Sequence, residues 1–230
     1  MPPRPLLGAM IVQSLSGLVL SGLLLFVPAG DLGWPQGWVF LGLFFVGGES
    51  TGVWLLRHDP GLLVERMRSP LAEQQRPRDR ALMAAILVIF VGWIVLMALD
   101  ARRFGWSSTP LWAQALGAML MIAAFWGWFE VLRANSFAAT TIRLQADRGQ
   151  VVISTGPYAV VRHPMYASTL AFLTGAPLLL GSLWGLAGLA LFVPLLALRA
   201  LGEERMLREG LPGYADYARK VRFRLFPGVW

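Results

Sequence analysis

Apolar residues recur in blocks of about twenty along most of this chain, separated by short polar stretches. A helix crossing a bilayer needs roughly 20 mainly apolar residues. Blocks near 6–27, 37–56, 81–99 and 111–132 meet that requirement. Two more, 167–181 and 183–201, are shorter and lie on either side of Gly181-Ser182, with Pro177 inside the first. The pattern predicts an all-α membrane protein, a polytopic bundle of about six transmembrane helices. Five is the alternative count, since the last two blocks could form a tight hairpin that does not fully cross.

The polar stretches carry their own pattern. Residues 57–80 contain Pro60, Pro70 and Pro77 and predict a short interfacial helix around 60–68. Residues 134–166 hold no spanning block. There Val151, Val152 and Ile153 read as a short extended piece entering a turn at Ser154-Thr155-Gly156-Pro157. Residues 202–220 continue the last helix beyond the membrane, with a break expected at Gly210–Gly213. No repeat or linker divides the chain. A single integral domain follows, with four N-terminal spans over 1–132 and a catalytic region over 133–230.

Composition reinforces the pattern. Of the 230 residues 56% are hydrophobic and 14% charged, with mean hydropathy +0.58, whereas soluble domains carry roughly 25% charged residues. The basic residues set the orientation. With the N-terminus inside and six crossings, only Arg102 and Arg103 of the 20 Lys and Arg residues fall outside, as the positive-inside rule requires. A multi-pass protein of the bacterial inner membrane with both termini cytoplasmic is expected. The net charge of +7 then reports topology and anionic lipid rather than nucleic acid. Trp34, Trp38, Trp106 and Trp112 sit at span boundaries, as an aromatic belt requires. The first block is too long for a signal core and lacks a small-residue cleavage site, so it reads as the first span.

Cysteine is absent and only His58 and His163 are present, so neither disulfides nor a Cys- or His-rich metal site is supported. Phosphate-binding glycine loops are also missing. Candidate chemistry gathers in two places. The first is Thr155-Gly156-Pro157-Tyr158-Ala159-Val160-Val161-Arg162-His163-Pro164-Met165-Tyr166. His163 precedes a proline, which biases it away from helical geometry, and Pro164 suits the first helical position. Arg162 and His163 therefore fall at a helix N-terminus on the inner side, where free N–H groups favour an anion. The second is Arg199 with Glu203 and Glu204, where the four-residue spacing puts Arg199 and Glu203 on one helix face. Each also fits a plain reading as interfacial charge. Glu49 stands inside the second span, where a carboxylate is costly and marks a functional candidate; an ion pair near a helix end would also account for it. Glu130 reads as interfacial.

The run Arg162-His163-Pro164-Met165-Tyr166, followed by Glu203-Glu204 and by Gly213-Tyr214, Tyr217, Val221-Arg222 and Pro227, resembles the isoprenylcysteine carboxyl methyltransferase family. The resemblance covers about residues 130–227, and Asp59-Pro60-Gly61-Leu62-Leu63-Val64-Glu65-Arg66 is similar to a stretch of bacterial members. It implies a membrane methyltransferase using S-adenosyl-L-methionine under a cytoplasmic C-terminal cap. Gln145 and Gln150, Val151, Val152 and Ile153 correspond to cofactor-lining positions. Tyr158, His163, Pro164, Met165, Tyr166 and Glu203 match cofactor-binding positions, and Arg199 matches a substrate-contacting arginine. Arg199 and Glu203 are thus the expected catalytic pair, with Glu49 a further substrate-binding candidate. Ala167 departs from the glycine common after the tyrosine. The implied acceptor is a lipophilic molecule entering from the bilayer. A prenylated cysteine carboxylate is the family's namesake, while related enzymes methylate lipid amines or small thiols. An NADPH-dependent sterol or enone reductase shares this architecture and is the competing enzymatic reading. A lipid-binding membrane protein without catalysis is the third.

Overall fold

The computed structural model describes residues 4–69 and 77–230, and the description below is confined to these. Helix α1 spans Arg4–Ala29 and α2 Pro35–His58. The short α3 runs Pro60–Met67, within the segment expected to be helical. Asp59 caps it, accepting from Leu62 N at 2.9 Å with Pro60 at the first helical position, which satisfies donors the first turn would otherwise leave open. Helix α4, Pro77–Ala98, passes into a π-helical turn over Leu99–Phe104. Then come α5, Leu111–Ala134, and α6, Pro164–Leu180. A five-residue α7, Leu183–Ala187, precedes α8, Leu189–Gly210, and α9, Tyr214–Lys220. Short 3-10 turns occupy Ala146–Arg148 and Gly156–Ala159. The expected break between α8 and α9 falls at 211–213, with Gly213 at φ +83°.

Five helical stretches are long and apolar enough to cross a membrane: Leu6–Ala29, Pro35–His58, Arg80–Phe104, Leu111–Ala134 and Leu183–Gly210. Helix α6 is shorter, at 17 residues. Its far turn nevertheless reaches the end of the bundle opposite α3 and α9. Ser182 Oγ donates to Asp100 Oδ2 at 2.6 Å, and Thr109 Oγ1 donates to Leu178 O at 2.9 Å. Asp31 meets Arg102 at that same end. Helix α6 thus lies among the five longer helices with its last turn at this end.

Helices α5 and α6 pack at backbone contact. A Cβ on Gly117 would lie 2.4 Å from Leu179 N, and one on Gly175 would lie 2.7 Å from Gly117 O. In a lipid solvent, apolar side chains gain little by leaving the bilayer, so association depends on such close approach. The core that surrounds this pair includes Leu25, Phe40, Met97, Met121, Phe172 and Ala176. Trp34 belongs to it as well, only 2% exposed and edge-on to Phe26. The aromatic-belt expectation for Trp34 is thus corrected: its ring caps the α1–α2 core. Trp38, Trp106 and Trp112 are exposed.

Residues 151–153 have no strand partner, and no strand occurs among the described residues. The extended piece expected there is irregular chain lining a cavity. The reason is local: Gln145 and Gln150 close a loop on themselves, Gln150 Oε1 accepting from Gln145 N at 2.8 Å.

Candidate functional site

The two chemistry-bearing stretches meet where α6 begins and α8 leaves the bundle. His163 takes the N-cap position of α6 with φ −126° and ψ 61°, and Pro164 follows at the first turn. The backbone just before the helix is fixed by the chain's last segment: Arg162 N donates to Phe223 O at 3.0 Å and His163 N to Arg224 O at 2.8 Å. The His163 ring lies parallel to Tyr166, with centroids 5.4 Å apart.

Around that ring stand two carboxylates of α8, Glu203 and Glu204. His163 Nε2 is 3.2 Å from Glu204 Oε1, and Nδ1 is 3.7 Å from Glu203 Oε2. Glu204 is the more buried, its side chain 5% exposed against 31% for Glu203. Arg224 grips it through Nε at 3.0 Å and Nη2 at 3.3 Å. Arg162 Nε stands 3.2 Å from the same carboxylate as an ion pair, without hydrogen-bond alignment. One acid thus holds three cation-capable groups from two parts of the chain, 162–163 and 224.

Glu203 faces the other way. Tyr166 Oη donates to Glu203 Oε2 at 2.7 Å and accepts from Arg199 Nε at 3.2 Å. Arg199 Nη2 donates to Thr140 O at 2.7 Å. Arg199 Nη1 and Thr140 Oγ1 are buried with no hydrogen-bond partner.

Both residues line a cavity of about 370 Å³, within the usual range for a small-molecule site. Tyr158, His163, Met165, Tyr166, Arg199 and Glu203 line it, as do Gln150, Val151, Val152 and Ile153. Its apolar flank is made by Met83 and Ile86 of α4 and Leu196 of α8, so it runs from the polar roof down between spanning helices.

Tyr158 is fixed from two sides. Its hydroxyl accepts from Asn135 Nδ2 at 3.0 Å, and its carbonyl accepts from Tyr217 Oη at 2.8 Å. Burial holds its phenol protonated well above the ordinary tyrosine range. It therefore serves as a neutral wall rather than a base. Tyr214 is likewise pushed up by burial, with Glu204 and Glu203 adding to the effect.

The roof rests on α3. Glu65 Oε2 receives Arg143 Nη2 at 3.0 Å, and Arg66 Nη1 donates to Ala138 O at 3.0 Å. Arg143 is held charged above the ordinary range by its hydrogen bond to Glu65. Burial pulls Arg66 the other way.

Three sequence-derived candidates fall elsewhere. Gln145 does not line this cavity. It is 1% exposed, and its amide donates to Phe137 O at 2.8 Å while accepting from Arg148 at 2.6 Å. These bonds hold the roof loop together. Pro164 is buried in the start of α6 and acts through the backbone it fixes. Glu49 lines a different cavity, between α1, α2 and α5. Glu130 pairs with Arg133 at 2.7 Å at the end of α5.

Thr140, Asn135, Arg143 and Arg224 were not among the candidates, and Glu204 was named only as the neighbour of Glu203 without a role of its own. Nothing in the spacing of Glu203-Glu204 says which acid turns to the cavity. The others act on partners 20 to 78 positions away, beyond any local pattern.

No curated protein and no solved structure matches the chain. Residues 112–212, from the first turn of α5 to the turn before α9, match the model of the phospholipid methyltransferase family, which includes the isoprenylcysteine carboxyl methyltransferases.

Proposed function

We propose that the protein transfers a methyl group from S-adenosyl-L-methionine to a lipophilic acceptor, with an isoprenylcysteine-type carboxylate the preferred candidate. The observation that carries this reading is the pair of buried, unpartnered groups on the 370 Å³ cavity, Arg199 Nη1 and Thr140 Oγ1. Buried polar groups are rarely left open, because each costs the desolvation it never recovers. A ligand bearing acceptor oxygens answers both.

The donor set suits the proposed cofactor. Glu203 accepts from an ammonium or ribose hydroxyl, the His163–Tyr166 face offers flat packing, and the Arg162–His163 helix start favours a carboxylate. When bound, the cofactor supplies an electrophilic methyl group on a sulfonium. The chain's own part is positional. Arg199, braced by Tyr166 and Thr140 O, orients an acceptor carboxylate without removing a proton. The buried phenols of Tyr158 and Tyr166 wall the site from water. Rate enhancement then comes from alignment and water exclusion. The apolar flank from Met83 to Leu196 gives an acceptor's hydrocarbon a place to lie. The excess of basic residues on the inner segments supports a cytoplasmic position for this end of the bundle, in our reading that of a bacterial inner membrane.

Isothermal titration of the detergent-purified protein with S-adenosylhomocysteine tests the reading. Saturable binding is expected, with Glu203→Ala weakening it by about 1.5–3 kcal/mol, the value of a hydrogen bond to a charged group. Tight NADPH binding with no response to S-adenosylhomocysteine would replace this function with a reductase.

A further inference from the structure

A second cavity, of about 320 Å³, lies beside the first and is lined by α1, α2, α3 and α5. Arg66 and Trp128 line both and separate them. Its other walls are largely apolar, among them Leu18, Leu41, Phe44 and Phe125. One acid faces it, Glu49.

Glu49 stands in the middle of α2, a helix long and apolar enough to cross the membrane. Nine residues separate it from His58, about 14 Å at 1.5 Å per residue. Among the described residues it has no hydrogen-bond or ion-pair partner. Its neighbours do not supply one: Ser50 Oγ donates to Val46 O and Thr51 Oγ1 to Gly47 O, each along their own helix. Arg66 borders the same cavity but makes no ion pair with Glu49, its Nη1 going instead to Ala138 O. Ionisable groups inside spans face cavities and mark binding sites or pathways, because lipid gives them no compensation. Bare glycine surface keeps the space clear: a Cβ on Gly17 or Gly48 would meet nothing within 4 Å.

We propose that this second cavity binds the protonated amine head of a single-chain membrane amphiphile, with Glu49 as counter-ion. Charge selects a cation, and Arg66 at the shared wall disfavours binding at that end and keeps the head at Glu49. Depth selects an amphiphile over a soluble amine, since a tail already in the bilayer carries its head to this level laterally. The apolar walls receive that tail. This site is independent of the methyl-donor reading, because none of its distinctive groups touches the first cavity.

The test is equilibrium binding to purified protein in uncharged maltoside micelles, using a long-chain alkylamine carrying a photoreactive diazirine in its tail. Comparison ligands are the alcohol and sulfate of equal chain length and a short soluble amine. The alkylamine should bind saturably at one per chain, at least about tenfold more tightly than any comparison ligand, a gap of about 1.4 kcal/mol. Glu49→Gln, which keeps shape and removes charge, should erase that preference. Photolabelling of the unsubstituted protein should fall on α1 and α2. Equal binding of amine and alcohol, an unchanged Glu49→Gln variant, or labelling confined to α4 and α8 would each overturn the proposal. The labelling result stands whether or not the variant folds. Failure to bind S-adenosylhomocysteine would count against the first cavity's function alone.

Discussion

Tyr166 holds the site together at the scale of a single residue, since its hydroxyl bridges the two groups expected to act, donating to Glu203 and accepting from Arg199. Tyr166→Phe keeps the ring against His163 but removes the bridge. It should lower methyl-transfer kcat by roughly tenfold or more, following the 1.5–3 kcal/mol of a charge-assisted bond, with the unfolding midpoint nearly unchanged. Steady-state kinetics beside a denaturation curve separate the two effects. Glu204 predicts the opposite balance. Glu204→Gln leaves Arg162 and Arg224 without their acid, and removing one partner of a buried charge cluster costs about 3–5 kcal/mol. Its signature is a lower midpoint in a mixed-micelle denaturant titration.

Tyr217 adds a pH dependence. Burial pushes its phenol from 10.0 up to about 12, opposed by Arg162 and reinforced by Glu204. The neutral form is therefore favoured in the fold. The stability it contributes is complete below the unfolded value near 10.0 and is lost as pH rises towards about 12. Tyr158 and Tyr214 are shifted in the same direction and reinforce the trend. Tyrosinate absorbance and cap unfolding should rise together over that interval. Tyr217→Phe should flatten the alkaline slope while costing about 1 kcal/mol at neutral pH through the lost bond to Tyr158 O.

At the scale of elements, the close pairing of α5 and α6 aligns the start of α6 with the end of α5. Along this seam Trp128 Nε1 reaches Met165 O at 3.2 Å. The seam depends on absent side chains. Gly117→Leu would force the helices apart, since even a single Cβ there meets backbone at 2.4 Å. It should abolish recovery of monodisperse protein by size-exclusion chromatography. Gly8→Leu is the matched control, because a Cβ at Gly8 meets nothing within 4 Å, and it should purify normally. The cap shows the same dependence on backbone freedom. Gly213 turns with φ +83° so that α9 folds back, and Tyr214, Tyr217 and Ala218 pack with Leu211. That small cluster holds the roof beside Val152 and Leu144.

At the scale of the whole molecule, the bundle has two unlike ends. One carries α3, the roof loop, α9 and the cavity with its arginines. The other carries the Asp31–Arg102 pair and the buried Asp100, which accepts from Ser107 and Ser182. The chain has no cysteine, so single-cysteine variants report cleanly on orientation. Trp106→Cys, exposed at the second end, should react with a membrane-impermeant maleimide on spheroplasts, with the outer membrane removed and the inner membrane intact. Arg219→Cys, exposed on α9, should react only after permeabilisation. The reverse pattern would place the cavity on the far side of the membrane.

The long apolar helices, the break before α9 and the helix start at Pro164 were all legible in the sequence. Each rests on local physics: runs of apolar residues need a lipid solvent, glycine permits a left-handed turn, and proline cannot accept a preceding helical turn. The site's chemistry was legible only as residue types. His163, Tyr166, Arg199 and Glu203 could be named from motif and spacing, but their assembly depends on α6 and α8 converging around the cavity. Gln145 shows the limit from one side: only the structure shows that its side chain bonds within its own loop, off the cavity lining. Glu204 shows it from the other, since an adjacent acid becomes the hub only when Arg224 and Arg162 arrive from distant segments. Glu49 was visible as a misplaced charge, yet only packing revealed that it faces a separate cavity. Sequence alone thus determined which segments form long apolar helices and which residue types could do chemistry, because solvent transfer and backbone sterics act locally. Tertiary structure decided which groups share a cavity and which remain unpaired, because Coulomb and hydrogen-bond partners are set by distance in space, not by position along the chain.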